Sequence, residues 1–224
     1  MENQKKKISV IIPAYNELGI LRKNITRIQS YLESQKLKKY EIILVAQKSP
    51  DGTHKEAEKI KIKNLKVIIL EKKGKWRAIK KGFEAAQYEY MFALDADLSY
   101  PLDLINEIQY DIDLLIGSRY LPKSKLIDTP LHRRFVSKTY NLIVQILYPN
   151  KVKDLQAGCK ILKKSTYEKI HIKDNEWFGD TELIVQLSRL GKKIKEIPIT
   201  YTHHDTTIKI LKAAPTMLLK LLKY

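Results

Sequence analysis

From Ile8 to Gly117 the chain alternates short β-rich apolar runs with stretches in which apolar positions recur every three or four residues. The runs are Ile8 to Ile12, Glu41 to Val45, Lys66 to Leu70, Tyr90 to Leu94 and Leu114 to Gly117. Between the first two, Leu18, Leu21, Ile25, Ile28 and Leu32 keep helical spacing, which predicts a helix with one apolar face. Glu17 is expected to open it, because a carboxylate favours the positive end of a helix. Ala78, Ile79, Phe83 and Ala86 repeat the pattern after Gly74. Strands that alternate with helices predict an α/β fold of nucleotide-binding type, its mostly parallel central sheet flanked by helices.

The second half changes character. A helix is expected from Leu131 to Tyr148, basic at its start, then a strand from Cys159 to Leu162 and a helix from Phe178 to Leu190. Lys193 to Tyr201 reads as an edge strand or hairpin interrupted at Pro198. No repeat or low-complexity linker divides the chain, so residues 1–207 are read as one domain followed by a basic amphipathic helix over 208–224. In that tail Lys209, Lys212, Lys220 and Lys223 share a stripe, while Ile208, Leu211, Leu218, Leu219 and Leu222 fall largely on others. Such a helix lies in a membrane interface, packs on the domain or makes a dimer contact.

Charge sharpens the picture. Among 224 residues, 42 Lys+Arg against 25 Asp+Glu leave a net +17, which attracts nucleic acid, anionic lipid or phosphorylated substrates. A Lys-rich composition also suits heat adaptation. The lysines are spread along the chain without an aromatic-basic recognition motif, which argues against a nucleic-acid module. A single cysteine, Cys159, excludes an intrachain disulfide and a Cys-based zinc cage, and makes the reducing cytosol the expected compartment. No run of about 18 apolar residues is present to span a bilayer. The start, MENQKKK, leads into ISVIIPAY, which Pro13 breaks and which lacks a cleavage site, so it does not read as a secretory signal.

In open α/β sheets ligands sit beyond the carboxyl ends of the strands. Those ends are Pro13 to Glu17, Gln47 to Thr53, Asp95-Ala96-Asp97 and Ser118-Arg119-Tyr120. Asp95 and Asp97 lie two apart, so alternation points both carboxylates to one side if the strand persists that far. Converging anionic oxygens suit Mg²⁺ or Mn²⁺, which also grips a diphosphate; the alternative is a solvated Asp-rich turn. Asp154 and Gln156 precede Gly158 with the same spacing and read either as site residues on one side of the chain or as a turn entering a strand.

Taken in order, a set of motifs resembles family 2 glycosyltransferases, and among them the polyprenol-phosphate (dolichyl-phosphate) mannosyl- and glucosyltransferases. These are Ile12-Pro13-Ala14-Tyr15-Asn16-Glu17, Ser49-Pro50-Asp51-Gly52-Thr53, Gly74-Lys75-Trp76-Arg77-Ala78, Asp95-Ala96-Asp97-Leu98-Ser99-Tyr100-Pro101, Gly117-Ser118-Arg119-Tyr120, Arg133-Arg134 with Ser137, Asp154 to Lys160, and Glu196 to Tyr201. The resemblance implies a GT-A-like fold and a metal-dependent, inverting transfer of mannose or glucose. The donor would be a nucleoside diphosphate sugar and the acceptor a polyprenyl or dolichyl phosphate, with the protein peripheral at the cytoplasmic, inner face of the membrane. By the same resemblance Pro13, Ala14, Tyr15, Glu17, Gln47, Lys75, Asp95 and Ala96 line the donor pocket, and Asp95, Asp97 and Ser99 serve the cation. Asp97, Asp154, Gln156 and Arg119 border the reacting groups, and Arg119, Arg133, Ser137 and Lys209 grip the acceptor phosphate. His203 and His204 read as surface residues.

The chain departs from the family pattern at three places. Val45-Ala46-Gln47-Lys48-Ser49 stands where two Asp and a Gly are common, Ser99 where a Gln is frequent, and Trp76 where a Gly is frequent, so that its ring is expected to crowd or stack on a ligand. Two alternatives stay open. One is a transferase of the same fold acting on a saccharide, with Asp180 or Glu182 as base, and the other is a non-catalytic relative that binds nucleotide or lipid.

Overall fold

The computed structural model describes residues 6–35, 37, 39–204 and 210–224, with side chains omitted for 210–215. Strands and helices follow in the order β1 (Lys7–Ala14), α1 (Leu21–Ser34), β2 (Lys39–Gln47), α2 (Thr53–Lys59), β3 (Leu65–Leu70), α3 (Lys75–Ala85), β4 (Tyr90–Ala93) and β5 (Leu114–Ser118). Then come β6 (Lys125–Ile127), α4 (Leu131–Leu147), β7 (Lys160–Lys163), α5 (Lys164–Tyr167), α6 (Gly179–Arg189), β8 (Ile194–Pro198), β9 (Thr200–Thr202) and α7 (Ile210–Leu222).

The five expected strands are β1 to β5, and the fold is α/β as expected. The central ones read as near-continuous apolar runs because both faces are covered, Ile8, Val10, Ile11 and Ile12 of β1 and Ile42 to Ala46 of β2 being fully buried, while β3 at the edge is half-buried. Among the described residues seven strands form one sheet in the order β3-β2-β1-β4-β7-β5-β8. Ile11 pairs in parallel with Ile43 on one side and Ala93 on the other. The exception is β7, antiparallel to both neighbours, with Ile161 opposite Phe92 of β4 and Leu115 of β5. This reversal positions the site. It puts the segment that enters β7, residues 154–159, at the edge where β4 and β5 end.

Two boundaries differ from expectation. Helix α1 starts at Leu21, four residues after Glu17, because residues 17–20 form a turn in which the Glu17 carbonyl accepts the N–H groups of Ile20 (3.1 Å) and Leu21 (2.8 Å). Residues 193–201 supply two different sheets. β8 is the outer strand beside β5, where Pro198 needs no partner for its missing N–H, while β9 pairs with β6 in a separate parallel pair.

Helix α7 packs its inner face on the domain. Leu221 and Met217 are buried, Tyr148 Oη donates to the Leu221 carbonyl (2.9 Å), and Tyr224 meets Tyr148 and Phe178 edge-on with Arg189 above. Among the described residues no helix is long and apolar enough to cross a membrane.

Candidate active site

Four strand ends converge here. The β1 exit carries Ala14, which is buried, and then Tyr15, Asn16 (φ 60°) and Glu17. It is stitched to the β2 exit: Glu17 N–H donates to Thr53 Oγ1 (2.8 Å) and Leu18 N–H to Asp51 Oδ2 (3.1 Å). Burial alone would raise the Asp51 carboxyl. Donation from Thr53 N–H, Leu18 N–H and the Ser49 and Thr53 hydroxyls overcomes this and holds it down at about 2. Asn16 Oδ1 is buried with no partner among the described residues.

Beyond β4 the backbone turns. The strand stops at Ala93, so alternation is not what aligns Asp95 and Asp97, and the expectation that a continuing strand does so is corrected. A turn places them, with Leu98 at φ 53°. Asp97 accepts Ser99 N–H (3.0 Å) and Ser99 Oγ–H (2.7 Å), and Asn24 of α1 donates to the Ala96 carbonyl (2.9 Å). Ser99 thus orients Asp97. Lys75, at the start of α3, lies 2.8 Å from Asp95 Oδ1 and 4.8 Å from the centre of the Trp177 ring. Burial works to lower the Lys75 ammonium, but Asp95, Asp180 and Asp97 outweigh it and raise it.

These carboxylates crowd one another. Burial and the charges of Asp97, Asp95 and Asp51 push Glu17 up to about 7. A divalent cation relieves such crowding. Among the described residues no three His, Cys, Asp or Glu side chains form a ready cage. Asp95 and Asp97 are the hard oxygen donors that a cation of the Mg²⁺ type would take, the rest of its shell being phosphate oxygens and water.

A second, cationic pole lies at the ends of β5 and β9. Arg119 forks onto buried Asp154, with Nε to Oδ2 at 2.8 Å and Nη2 to Oδ1 at 2.7 Å, and Nη2 also reaches the Gln156 carbonyl (3.2 Å). Tyr100, Tyr120 and Tyr201 surround its guanidinium at 5.4–6.0 Å. Arg133 Nη1 lies 3.2 Å from the His203 ring, which is 3.3 Å from Tyr201 Oη. Ser137 is buried beside Tyr120. The two poles meet at Tyr201. Burial raises its hydroxyl most, Asp97 and Asp95 raise it further, and Arg119 and Arg133 lower it. A cavity of about 250 Å³ opens beside the cationic pole, lined by Arg119, Tyr120, Ser124, Arg134 and Lys138 among others. A larger one, about 620 Å³, lies away at β3 over Ile60, Ile62, Leu65, Val67 and Ile69.

The sequence pattern described as Glycosyl transferase family 2 matches residues 9–171, most of the chain. The chain belongs to this family. It is 26% identical over 220 residues to the glycosyltransferase AglD of Haloferax volcanii, which covers 92% of this chain and 35% of that protein. It is 32% identical over 205 residues to the dolichol-phosphate mannosyltransferase of Pyrococcus furiosus (87% of this chain, 56% of that one). With the undecaprenyl-phosphate mannosyltransferase of Micrococcus luteus it shares 27% over 211 residues (89% and 85%). The chain thus spans about a third and about half of the first two. Among solved structures, glucosyl-3-phosphoglycerate synthase from Mycobacterium tuberculosis, in complex with Mn²⁺, UDP-glucose and glycerol 3-phosphate, superposes with a TM-score of 0.71. It covers 97% of this chain and 79% of that one at 15% identity, a likeness of fold. The GT-A-like architecture is therefore shared.

Against the family pattern, several residues take places that the motifs did not foretell. Trp76 is fully buried and packs on Gly179, where a Cβ would come within 2.3 Å of its ring, so it is a core residue and does not stack on a ligand. Gln47 is buried and its Oε1 accepts Gly74 N–H (2.6 Å), fixing the start of α3. Asp154 and Gln156 are not on a strand: β7 begins at Lys160, and while Asp154 turns to Arg119, Gln156 Nε2 faces Met217 Sδ of α7 at 3.8 Å. Arg134 donates to the Thr129 and Leu126 carbonyls, and Lys209 lies outside the described residues. Asp180 is buried against Lys160, and Glu182, also buried, accepts Asp174 N–H. Sequence reasoning passed over Asn24, Trp177 and His203. Asn24 had a signal, being polar within the apolar stripe of α1.

Proposed function

We propose that this chain catalyses inverting transfer of a hexose, mannose or glucose, from a nucleoside diphosphate sugar to a polyprenyl phosphate, with Mg²⁺ or Mn²⁺. The observation that supports the reading most is the pairing of an acidic pole (Asp95, Asp97, Glu17) with an Arg-Tyr pole (Arg119, Arg133, Tyr201) around one edge of the sheet. Such a pair suits two phosphorylated reactants of opposite needs, a departing diphosphate and an attacking phosphate. The names of the Pyrococcus and Micrococcus relatives support the acceptor class.

Asp95 and Asp97 would hold the cation, which when bound supplies positive charge for the leaving diphosphate. Ser99 fixes the Asp97 carboxylate by donating to both of its oxygens, and Asn24 fixes the turn between the two acids. Lys75 sets a second positive charge beside Asp95. The β1 and β2 exit loops, tied by Thr53 and Asp51, line the nucleotide.

On the other side, Arg133 and Arg119 grip the acceptor phosphate. Arg119 reaches Asp154 through Nε and Nη2, so Nη1 is the nitrogen it offers. A phosphomonoester with a second pKa of about 6 is already anionic near neutral pH, so attack on the sugar carbon needs no strong base. The engagement of Asp180 and Glu182 inside the protein agrees with that economy. A single displacement, with the phosphate oxygen opposite the departing diphosphate, inverts the anomeric carbon.

The test is to incubate the protein with polyprenyl phosphate, Mn²⁺ and a panel of labelled GDP- and UDP-hexoses. A lipid-linked hexose with one donor is expected, and no lipid-linked product with any donor contradicts the reading.

A further inference from the structure

A charged pair lies in the interior beneath the acidic pole. Lys160, the first residue of β7, and Asp180, the second residue of α6, form an ion pair in which each side chain is only 2% exposed. Taking two charges out of water is expensive, and packed apolar side chains of similar volume would serve stability as well or better. Stability alone therefore does not account for the pair. What surrounds it does.

The pair sits against the first turn of α3, the turn that carries Lys75. Lys160 Nζ lies 5.7 Å from the centre of the Trp76 ring, and Gly179, next to Asp180, leaves the slot that this ring fills. The chain leading into α6 closes on the same turn. The Asn175 carbonyl accepts Arg77 N–H (3.0 Å), and the Trp177 ring stands 4.8 Å from Lys75 Nζ. Residues 175–180 thus enclose the start of α3.

Charges alternate from the site inward. Side-chain exposure falls from 28% at Asp95 through 11% at Lys75 to 2% at Asp180 and Lys160. Lys75 touches Asp95 and Lys160 touches Asp180. Between them, Asp180 follows Asp95 among the charges that raise the Lys75 ammonium against the burial that lowers it. This order matters once the site is loaded. If Asp95 turns to a cation, Lys75 loses its 2.8 Å partner, and a buried ammonium without a counter-charge is costly. Asp180, held by Lys160, is the acid that stays behind it.

We propose that Asp180, locked by Lys160, is a positioning residue that keeps Lys75 set toward the donor diphosphate. This deepens the transferase reading and rests on it for the identity of the donor.

The experiment is a double-mutant cycle on the binding of GDP and UDP with Mn²⁺, followed by isothermal titration calorimetry, which needs no turnover. Lys75→Met is expected to weaken binding of the preferred nucleotide by about tenfold, the loss of one charge-assisted contact. Asp180→Asn should weaken it by about fivefold, within the range found for members of one ion network. In the Lys75→Met background Asp180→Asn should add nothing, because it acts through that ammonium. Asp180→Asn also strands Lys160 in the interior, so a second variant, Lys160→Met with Asp180→Leu, removes both charges at similar volume. It should melt close to the parent temperature and still bind about fivefold more weakly. In turnover it should raise KM for the sugar nucleotide and leave KM for polyprenyl phosphate unchanged. Parent-like nucleotide binding by a folded Lys160→Met/Asp180→Leu protein overturns the proposal, and so does an undiminished loss from Asp180→Asn on top of Lys75→Met. The predicted coupling without lipid-linked product from any donor sinks the transferase reading alone, and no nucleotide binding by the parent sinks both.

Discussion

Gly158 passes so close to Asp95 that a Cβ on it would stand 2.0 Å from Asp95 Oδ2 and 2.8 Å from the Tyr100 ring. The segment after α4 therefore touches the turn after β4, and a methyl group cannot enter unless Asp95 leaves Lys75. Gly158→Ala is expected to cut kcat/KM for the donor by about tenfold or more, the cost of a misplaced charged group. Gly19→Ala, which meets nothing within 4 Å, should leave it unchanged. Steady-state kinetics of the two variants check this.

Asp154 is completely buried beneath Arg119. Asp154→Ala strands a guanidinium among three tyrosines, which costs about 3–5 kcal/mol for a broken buried pair. Urea denaturation monitored by circular dichroism should show the midpoint fall accordingly. Asp154→Asn, which keeps an acceptor, should fall less.

Glu17 titrates near 7 in the folded chain against 4.5 for an ordinary glutamate, burial and the neighbouring acids being the cause. A carboxyl whose pKa is raised by folding favours the folded state least where it is ionised. Its penalty is absent below about pH 4.5, grows up to about pH 7 and is constant above. Glu17→Gln should therefore raise the melting temperature, slightly at pH 4.5 and by its full amount at pH 8. Melting curves across that range read the slope, and an equal gain at both ends contradicts it.

The two poles should separate in kinetics. Lys75→Met removes the cation beside Asp95, and Arg133→Ala removes one at the acceptor pole. A charge-assisted hydrogen bond contributes about 1.5–3 kcal/mol, or tenfold and more in affinity. The first variant is expected to raise KM for the sugar nucleotide and the second KM for the polyprenyl phosphate. Initial rates with each substrate varied in turn measure the split.

Strands β1, β2, β4 and β5 were legible because burial on both faces leaves a run of aliphatic residues, and β3, half-buried at the edge of the sheet, because it keeps the same aliphatic run. The direction of β7 was not, since Lys160 to Lys163 reads the same whichever way it runs, and only its place between β4 and β5 brings Gly158 to Asp95 and Asp154 to Arg119. The start of α1 was misplaced because Leu18 keeps helical spacing while residues 17–20 are held as a turn. Trp76 misled for a physical reason too. The sequence places an indole at the start of α3 but carries no sign that Gly179, about a hundred residues on, leaves a slot for it. His203 was passed over as a surface residue, and its contact with Arg133 exists only once β9 has paired with β6. The paired acids Asp95 and Asp97 were visible by spacing alone, yet what orients them, Asn24 and Ser99, comes from a helix and a turn.

The central claim is that Asp97 faces the departing diphosphate. Asp97→Ala is exposed to direct measurement: the rate of lipid-linked hexose formation with Mn²⁺ and the accepted sugar nucleotide, beside the variant's melting temperature. A fall of about a thousandfold, the order seen when one transition-state charge contact is lost, with melting unchanged, is the result predicted. Turnover close to the parent's by a folded Asp97→Ala protein would contradict it.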